Sequence, residues 1–323
     1  AAKKMSAWNS PSSSPCRFMY GAAIIAVTST DADAKPVMTN ANLSVTALDG
    51  VVFEDDGFVT SGRSLIFTNA GLVSQAGNAT WGVTSALVRA QSFINVGARL
   101  TLSAPVANGG YAFTLDGSGT TIMSGPVSGT GAMIKTGGGT VEMRGSNTFS
   151  GGLVVSGGVM VAYNTAGTNN LLPADSAVII QGGGTFDIAE INPVPTGANS
   201  GNFTVNTGGV FFLSGGNSMN GMHAHVGDLA LNGGAVGSSG FDKSYGEDFQ
   251  INGRIVATGA VPSVISLVNA IGMAGAITVE VANATSDGRV DLYHYGVLRD
   301  GAGFTGRLCK TGGGSMLIGS NAA

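Results

Sequence analysis

The sequence predicts an all-β chain wound as a parallel β-helix, a solenoid of stacked coils. Three observations carry this. Glycine supplies 53 of 323 residues, more than twice its usual share of about 7%. Charged residues make up only 11% while hydrophobic residues reach 43%, so the chain holds enough apolar surface to offset its conformational entropy. Short runs of Val, Thr and Ile alternate with Gly, Asn, Ser and Asp, the pattern of many short strands joined by turns. One such unit returns: Lys135-Thr136-Gly137-Gly138-Gly139 recurs 175 residues later as Lys310-Thr311-Gly312-Gly313-Gly314.

Residues 1–35 show no coil pattern and are expected to form an irregular N-terminal arm ahead of a β-helical domain over 36–323. The longest apolar run, FMYGAAIIAV (18–27), follows Arg17, and Ala32-Asp33-Ala34 matches a small-x-small cleavage site. Two readings stand for it: the remnant of a secretory signal, or a mature arm with a buried strand. No run approaches the ~18 uncharged apolar residues of a membrane-spanning helix, so this chain is not expected to insert into a membrane. A net charge of −4 gives no reason to expect nucleic acid as a partner.

The stretch GTGAMIKTGGGTVEMRGSNTFSGG (129–152) is the most glycine-dense motif with a cation. A phosphate-binding loop needs its lysine after the last glycine and a helix beyond it. Here Lys135 precedes the glycines, and Thr140-Val141-Glu142-Met143-Arg144 alternates apolar and polar at strand period. The stretch therefore reads as strand, glycine turn, strand. Weaker echoes occur at Gln181-Gly182-Gly183-Gly184, Thr207-Gly208-Gly209 and Asn232-Gly233-Gly234. Such units cannot bury an apolar face alone; stacking them does.

The same residues carry a resemblance. GTGAMIKTGGGTVEMRGSNTFSGGLVVSGGVMVAYN is similar to the passenger-associated β-strand repeat of autotransporters and related giant surface proteins. That repeat reads S-G-x-G-x-L-x-K-x-G-x-G-T-L-x-L-x-G-x-N-T-[FY]-S-G-G-T. Lys135, Gly137, Gly139 and Asn147 fall on its key positions, and Lys310, Gly312, Gly314 and Asn321 repeat them. The second copy is one residue shorter before its Gly-Ser-Asn, and the sequence given stops at Ala323 with no membrane barrel following. The resemblance implies a right-handed β-helix at the cell surface or outside a diderm bacterium, acting as stalk, adhesin or structural layer. It does not imply catalysis.

Glu54-Asp55-Asp56-Gly57 reads as a solvated turn, lacking the ligand spacing of a calcium loop. Asp287 with Asp291 is one acid pair; Asp242, Glu247 and Asp248 sit in the most polar insertion, 241–248, where two carboxylates could serve a polysaccharide lyase or hydrolase. His223-Ala224-His225 gives at most half a metal site. His294 lies between Tyr293 and Tyr295, a sticky aromatic strand that suits a surface glycan better than a general base. No nucleophile elbow is present. The reading is therefore a non-catalytic structural protein without metal or cofactor, with an adhesin or glycan-binding module as alternative and an enzyme as the third.

The two cysteines, Cys16 and Cys309, lie near opposite ends of the sequence. A stack on the order of 60 Å long separates them too far for a bridge that needs Cα atoms within ~7 Å. A bridge between copies packed head to tail meets no such limit; two unrelated thiols are the alternative. An N-terminal arm and an open last coil are complementary, and arm docking on a neighbour's strand edge would build a fibre. A chain cut from a longer passenger would look the same.

Overall fold

A computed structural model describes residues 16–20, 23–27, 37–39, 47–54, 56–163, 171–173, 176–189, 201–214, 224–239, 247–285, 288–301 and 305–319. Among them every regular element is a strand, and nearly all pair in parallel as two ladders, of 18 and 15 strands. The chain is a β-solenoid, as its turn-and-strand pattern predicts. Partner residues on successive coils lie 19 to 31 positions apart, from Glu142 with Val161 to Val279 with Lys310.

Each coil contributes one or two strands to a ladder; Val106–Ala107 and Phe113–Asp116 of one coil both join the larger. The period of two in the sequence decides what meets the interior. In the larger ladder, Phe113, Met133, Leu153, Val178, Phe203, Leu229 and Ile255 pair in succession and all are buried. In the smaller one, Val141, Met160, Phe186, Phe211, Val236 and Ile265 do the same. The result is one continuous apolar core running from Leu48 to Leu292. Two aromatic stacks reinforce it. Phe53, Phe67, Trp81, Phe93 and Phe113 make one; Phe186, Phe203, Phe211 and Phe249 make the other, with Phe203 and Phe211 stacked at 4.6 Å.

The arm departs from the coil. Cys16–Tyr20 and Ala23–Val27 pair antiparallel, and Cys16–Tyr20 then lies antiparallel against Ala47–Phe53, with Cys16 opposite Phe53. The arm strand expected to dock on a neighbouring copy is thus paired within its own chain. Cys309 lies on Arg307–Thr311, the last strand of the same ladder, and is a free, exposed thiol. The pairings between the two cysteine-bearing strands, at ~4.8 Å each, separate them by on the order of 60 Å, far beyond disulfide reach.

Candidate functional site

The Lys-Thr-Gly-Gly-Gly corner is where a cation, glycines and a tight turn meet. Lys135 stands in a core ladder, paired with Leu115 on one side and Val155 on the other, and is 1% exposed. Its stem takes the place of an apolar side chain. Its Nζ turns to the corner, donating to the carbonyls of Thr136, Gly137 (2.9 Å) and, one coil on, Gly157 (3.0 Å). Burial pushes the amine below the ordinary lysine value, and the charge of Asp116 opposes this. Lys310 repeats the arrangement, donating to Gly312 O at 2.8 Å and Gly314 O at 2.5 Å, but on a more exposed coil. The motif's lysine thus binds its own backbone. Lys135→Met should strand up to three carbonyls and cost about 1–3 kcal/mol; urea denaturation checks this, and Lys310→Met should cost less.

Asn147 has a matching role on the next corner. Its Oδ1 accepts from the Val127 N–H at 2.7 Å, and its Nδ2 donates to Gly145 O (2.9 Å) and Leu171 O (2.6 Å). One side chain ties three coils. Asn321 lies outside the described residues. Asn108, which the sequence did not single out, does similar work: Nδ2 donates to Gly131 O at 2.8 Å and Oδ1 accepts from Gly131 N at 3.1 Å. Its signal was available, since Asn-Gly-Gly at 108–110 marks a corner as clearly as the lysine motif does.

Of the three candidate carboxylates in the polar insertion, the described one, Asp248, is engaged in the fold. Asp248 is fully buried; its carboxylate accepts from Ser238 Oγ (2.6 Å), the Asn269 N–H (2.9 Å) and Asn269 Nδ2 (3.2 Å). Asp291 accepts from Ser315 N (2.8 Å), Thr285 N (2.9 Å), Thr285 Oγ1 (2.9 Å) and Ala284 N (3.0 Å), tying two turns together. Asp55, Asp242, Asp287 and His223 lie outside the described residues, as does the side chain of Glu247. His225 Nδ1 lies 3.3 Å from Asn252 Nδ2. Among the described residues no three His, Cys, Asp or Glu side chains come together as metal ligands.

His294 faces inward between Ile265 and Ile318, 1% exposed, with its Nε2 lacking a hydrogen-bond partner. Burial holds its pKa at about 4, while the N–H groups of Ser315 and Thr285 hold Asp291 at about 2. Both values lie below those of the unfolded chain, about 6.5 and 3.9. The unfolded state therefore binds protons first, and stability is lost as pH falls. His294 contributes its loss from pH ~6.5 down to 4, and Asp291 from ~3.9 down to 2. Protection against hydrogen exchange in Leu292–Asp300 and Met316–Gly319, taken relative to the intrinsic rate at each pH, should fall in these two steps. His294→Leu should abolish the upper step and Asp291→Asn the lower.

What remains outward on the smaller ladder is different in kind. Tyr293 and Tyr295 project from the face opposite His294, their rings 6.0 Å apart and within 16° of parallel. Over five coils the outward positions of this face read Val210 and Phe212, Ala235 and Gly237, Val264 and Ser266, Tyr293 and Tyr295, Leu317 and Gly319. None is charged. Sequence reading found the tyrosines and missed Phe212, whose outward parity between buried Phe211 and Leu213 was the available signal.

Residues 133–162 match the family model of the passenger-associated-transport-repeat. The match takes in the first lysine–glycine corner and Asn147; the second corner, at 310–314, lies outside that span. No curated protein and no solved structure matches the chain.

Proposed function

We propose that this chain is a stretch of a non-catalytic passenger β-helix, displayed outside or on the surface of a Gram-negative bacterium, whose work is mechanical. The observation that carries the reading is the use made of its buried polar groups. Lys135, Asn147, Asp248 and Asp291 each place at least one hydrogen bond on a neighbouring coil. A solenoid so tied is a stiff rod, with stability summed over adjacent coils. The test is a depolymerisation assay of the purified chain on pectic, glucan and glycosaminoglycan polymers. No release of reducing ends is expected; release that disappears in Asp248→Ala would overturn the reading.

Assembly into a fibre extends it. Cys309 is exposed on the last strand of the larger ladder. At the other end Ala23–Val27 is outermost, with the Cys16 strand between it and Ala47–Phe53, so copies stacked end to end bring Arg307–Thr311 against Ala23–Val27 and leave the Cys16 strand one place further in. Negative-stain electron microscopy with and without reductant tests this. Fibres that loosen on reduction support the bridge, and fibres indifferent to it support stacking alone. Single short rods in both conditions remove the assembly and leave the rod.

A further inference from the structure

We infer that the outward strip of the smaller ladder centred on Tyr293 and Tyr295 is a binding platform for a neutral, linear polysaccharide lying along the solenoid axis. At 6.0 Å between centroids, the two tyrosines are well beyond the 3.5–4.0 Å of face-to-face carbon contact, so most of each π-face is left uncovered by the other. Their neighbours along the stack leave room. In the column of Tyr295, the adjacent coils present Ser266 and Gly319. The ring edge of Tyr295 rests against the outward side of Gly319, where an added Cβ would sit 3.4 Å from Cδ1.

Phe212 repeats the device three coils earlier. An added Cβ on Gly237 would lie 3.1 Å from its Cδ2. The column Phe212, Gly237, Ser266, Tyr295, Gly319 is therefore aromatic, small, small, aromatic, small. Its two aromatic levels are about 14 Å apart at the usual strand spacing. Aromatic stations at a fixed interval, with a shallow trough between them, suit a ligand that is itself linear and periodic.

Charge and size choose the occupant. With no cation at any of these outward positions, a nucleic acid or an acidic polymer has nothing to neutralise it. The strip covers two side chains by four coil steps, on the order of 200 Å² from strand spacings. A stable protein interface needs ~800 Å² per partner, so a second copy of the chain is a poor fit. A pyranose chain is a good one: the C–H bonds of each sugar face meet the electron-rich ring faces, and its hydroxyls stay in water.

Affinity electrophoresis of the whole chain through gels containing hydroxyethylcellulose, mannan or pullulan tests the inference, with alginate as an acidic comparison. Retardation by at least one neutral polymer and none by alginate is expected. The Tyr293→Ala/Tyr295→Ala double variant should bind at least tenfold more weakly, and Tyr293→Phe/Tyr295→Phe should retain binding. Ser266→Glu, which removes no aromatic group, should weaken binding as strongly; it serves if the double alanine variant melts early. Three outcomes would overturn the inference. They are no retardation by any neutral polymer, retardation unchanged by these variants, and a concentration-dependent dimer that the variants abolish, which would assign the strip to self-association.

Discussion

Gly139→Ala should destabilise the chain by at least ~3 kcal/mol, the upper end of what overpacking costs, while Gly138→Ala one residue earlier should be neutral or slightly stabilising. A Cβ on Gly139 would stand 2.2 Å from the carbonyl oxygen of Gly119 on the neighbouring coil. That oxygen is backbone in a parallel stack, and moving it means moving a whole rung. Gly137 is constrained twice, by a φ of +65° and by a Cβ position 2.5 Å from Gly117 O. At Gly138 an added Cβ meets nothing within 4 Å, and its φ is outside the left-handed region, so alanine there only narrows the unfolded ensemble. The second copy repeats all three cases. Gly312 has φ +79° and a Cβ position 2.3 Å from Val281 O, Gly313 is open, and Gly314 comes to 2.2 Å of Ala282 O. Urea midpoints for the alanine series at 137–139 should therefore read low, unchanged, low. An equal loss at all three positions would show that glycine flexibility, and not contact between rungs, sets the motif.

That series explains why the repeat was legible at all. Its spelling, lysine, any residue, glycine, any residue, glycine, is the list of positions where one coil touches the next through backbone. Of the middle positions, Thr136 bonds through its backbone, to Leu115 O and from Lys135 Nζ, and Gly138 faces open space. Strand and turn composition fixed the solenoid for the same reason, since every inward ladder is built from residues of period two. Three features stayed hidden. The inward place of Lys135 could not be read from a pattern in which charge signals solvent, because its amine leaves the core only by bending to corner carbonyls. Asp248 looked like a catalytic candidate because its partner Asn269 comes from the next coil and Ser238 from across an insertion, and sequence gives no distance for either. The pairing of the arm with Ala47–Phe53 was hidden as well. An antiparallel return departs from the parallel rule that governs the rest, and nothing local to 16–27 names its partner strand.

Trp81→Ala should cost about 3–5 kcal/mol, the range for emptying a buried aromatic site, and the damage should stay in one half of the rod. Trp81 is fully buried, 5.7 Å from the Phe67 ring and 6.3 Å from that of Phe53, and its Nε1 donates to Ser85 Oγ at 2.8 Å. The hydroxyl of Ser85 passes the bond on to Val83 O at 3.1 Å. Truncation therefore opens a cavity, breaks the first aromatic stack and leaves a buried hydroxyl without its donor. Phenylalanine would refill most of the volume and forfeit only the hydrogen bond, about 0.5–1.5 kcal/mol. Between this stack and the one around Phe203 the core is largely unbranched or aliphatic, with Met123, Met133, Met143 and Met160 among its residues. Methionine adapts its shape to strain, so it should pass little of the defect onward. In a stack held by nearest-neighbour contacts, amide exchange in Trp81→Ala should accelerate from Ala47 to about Asp116 and stay near wild type from Gly184 to Leu213. Uniform acceleration along the chain would mean that the coils unfold as one cooperative block, and that the aromatic stacks are not separate units of stability.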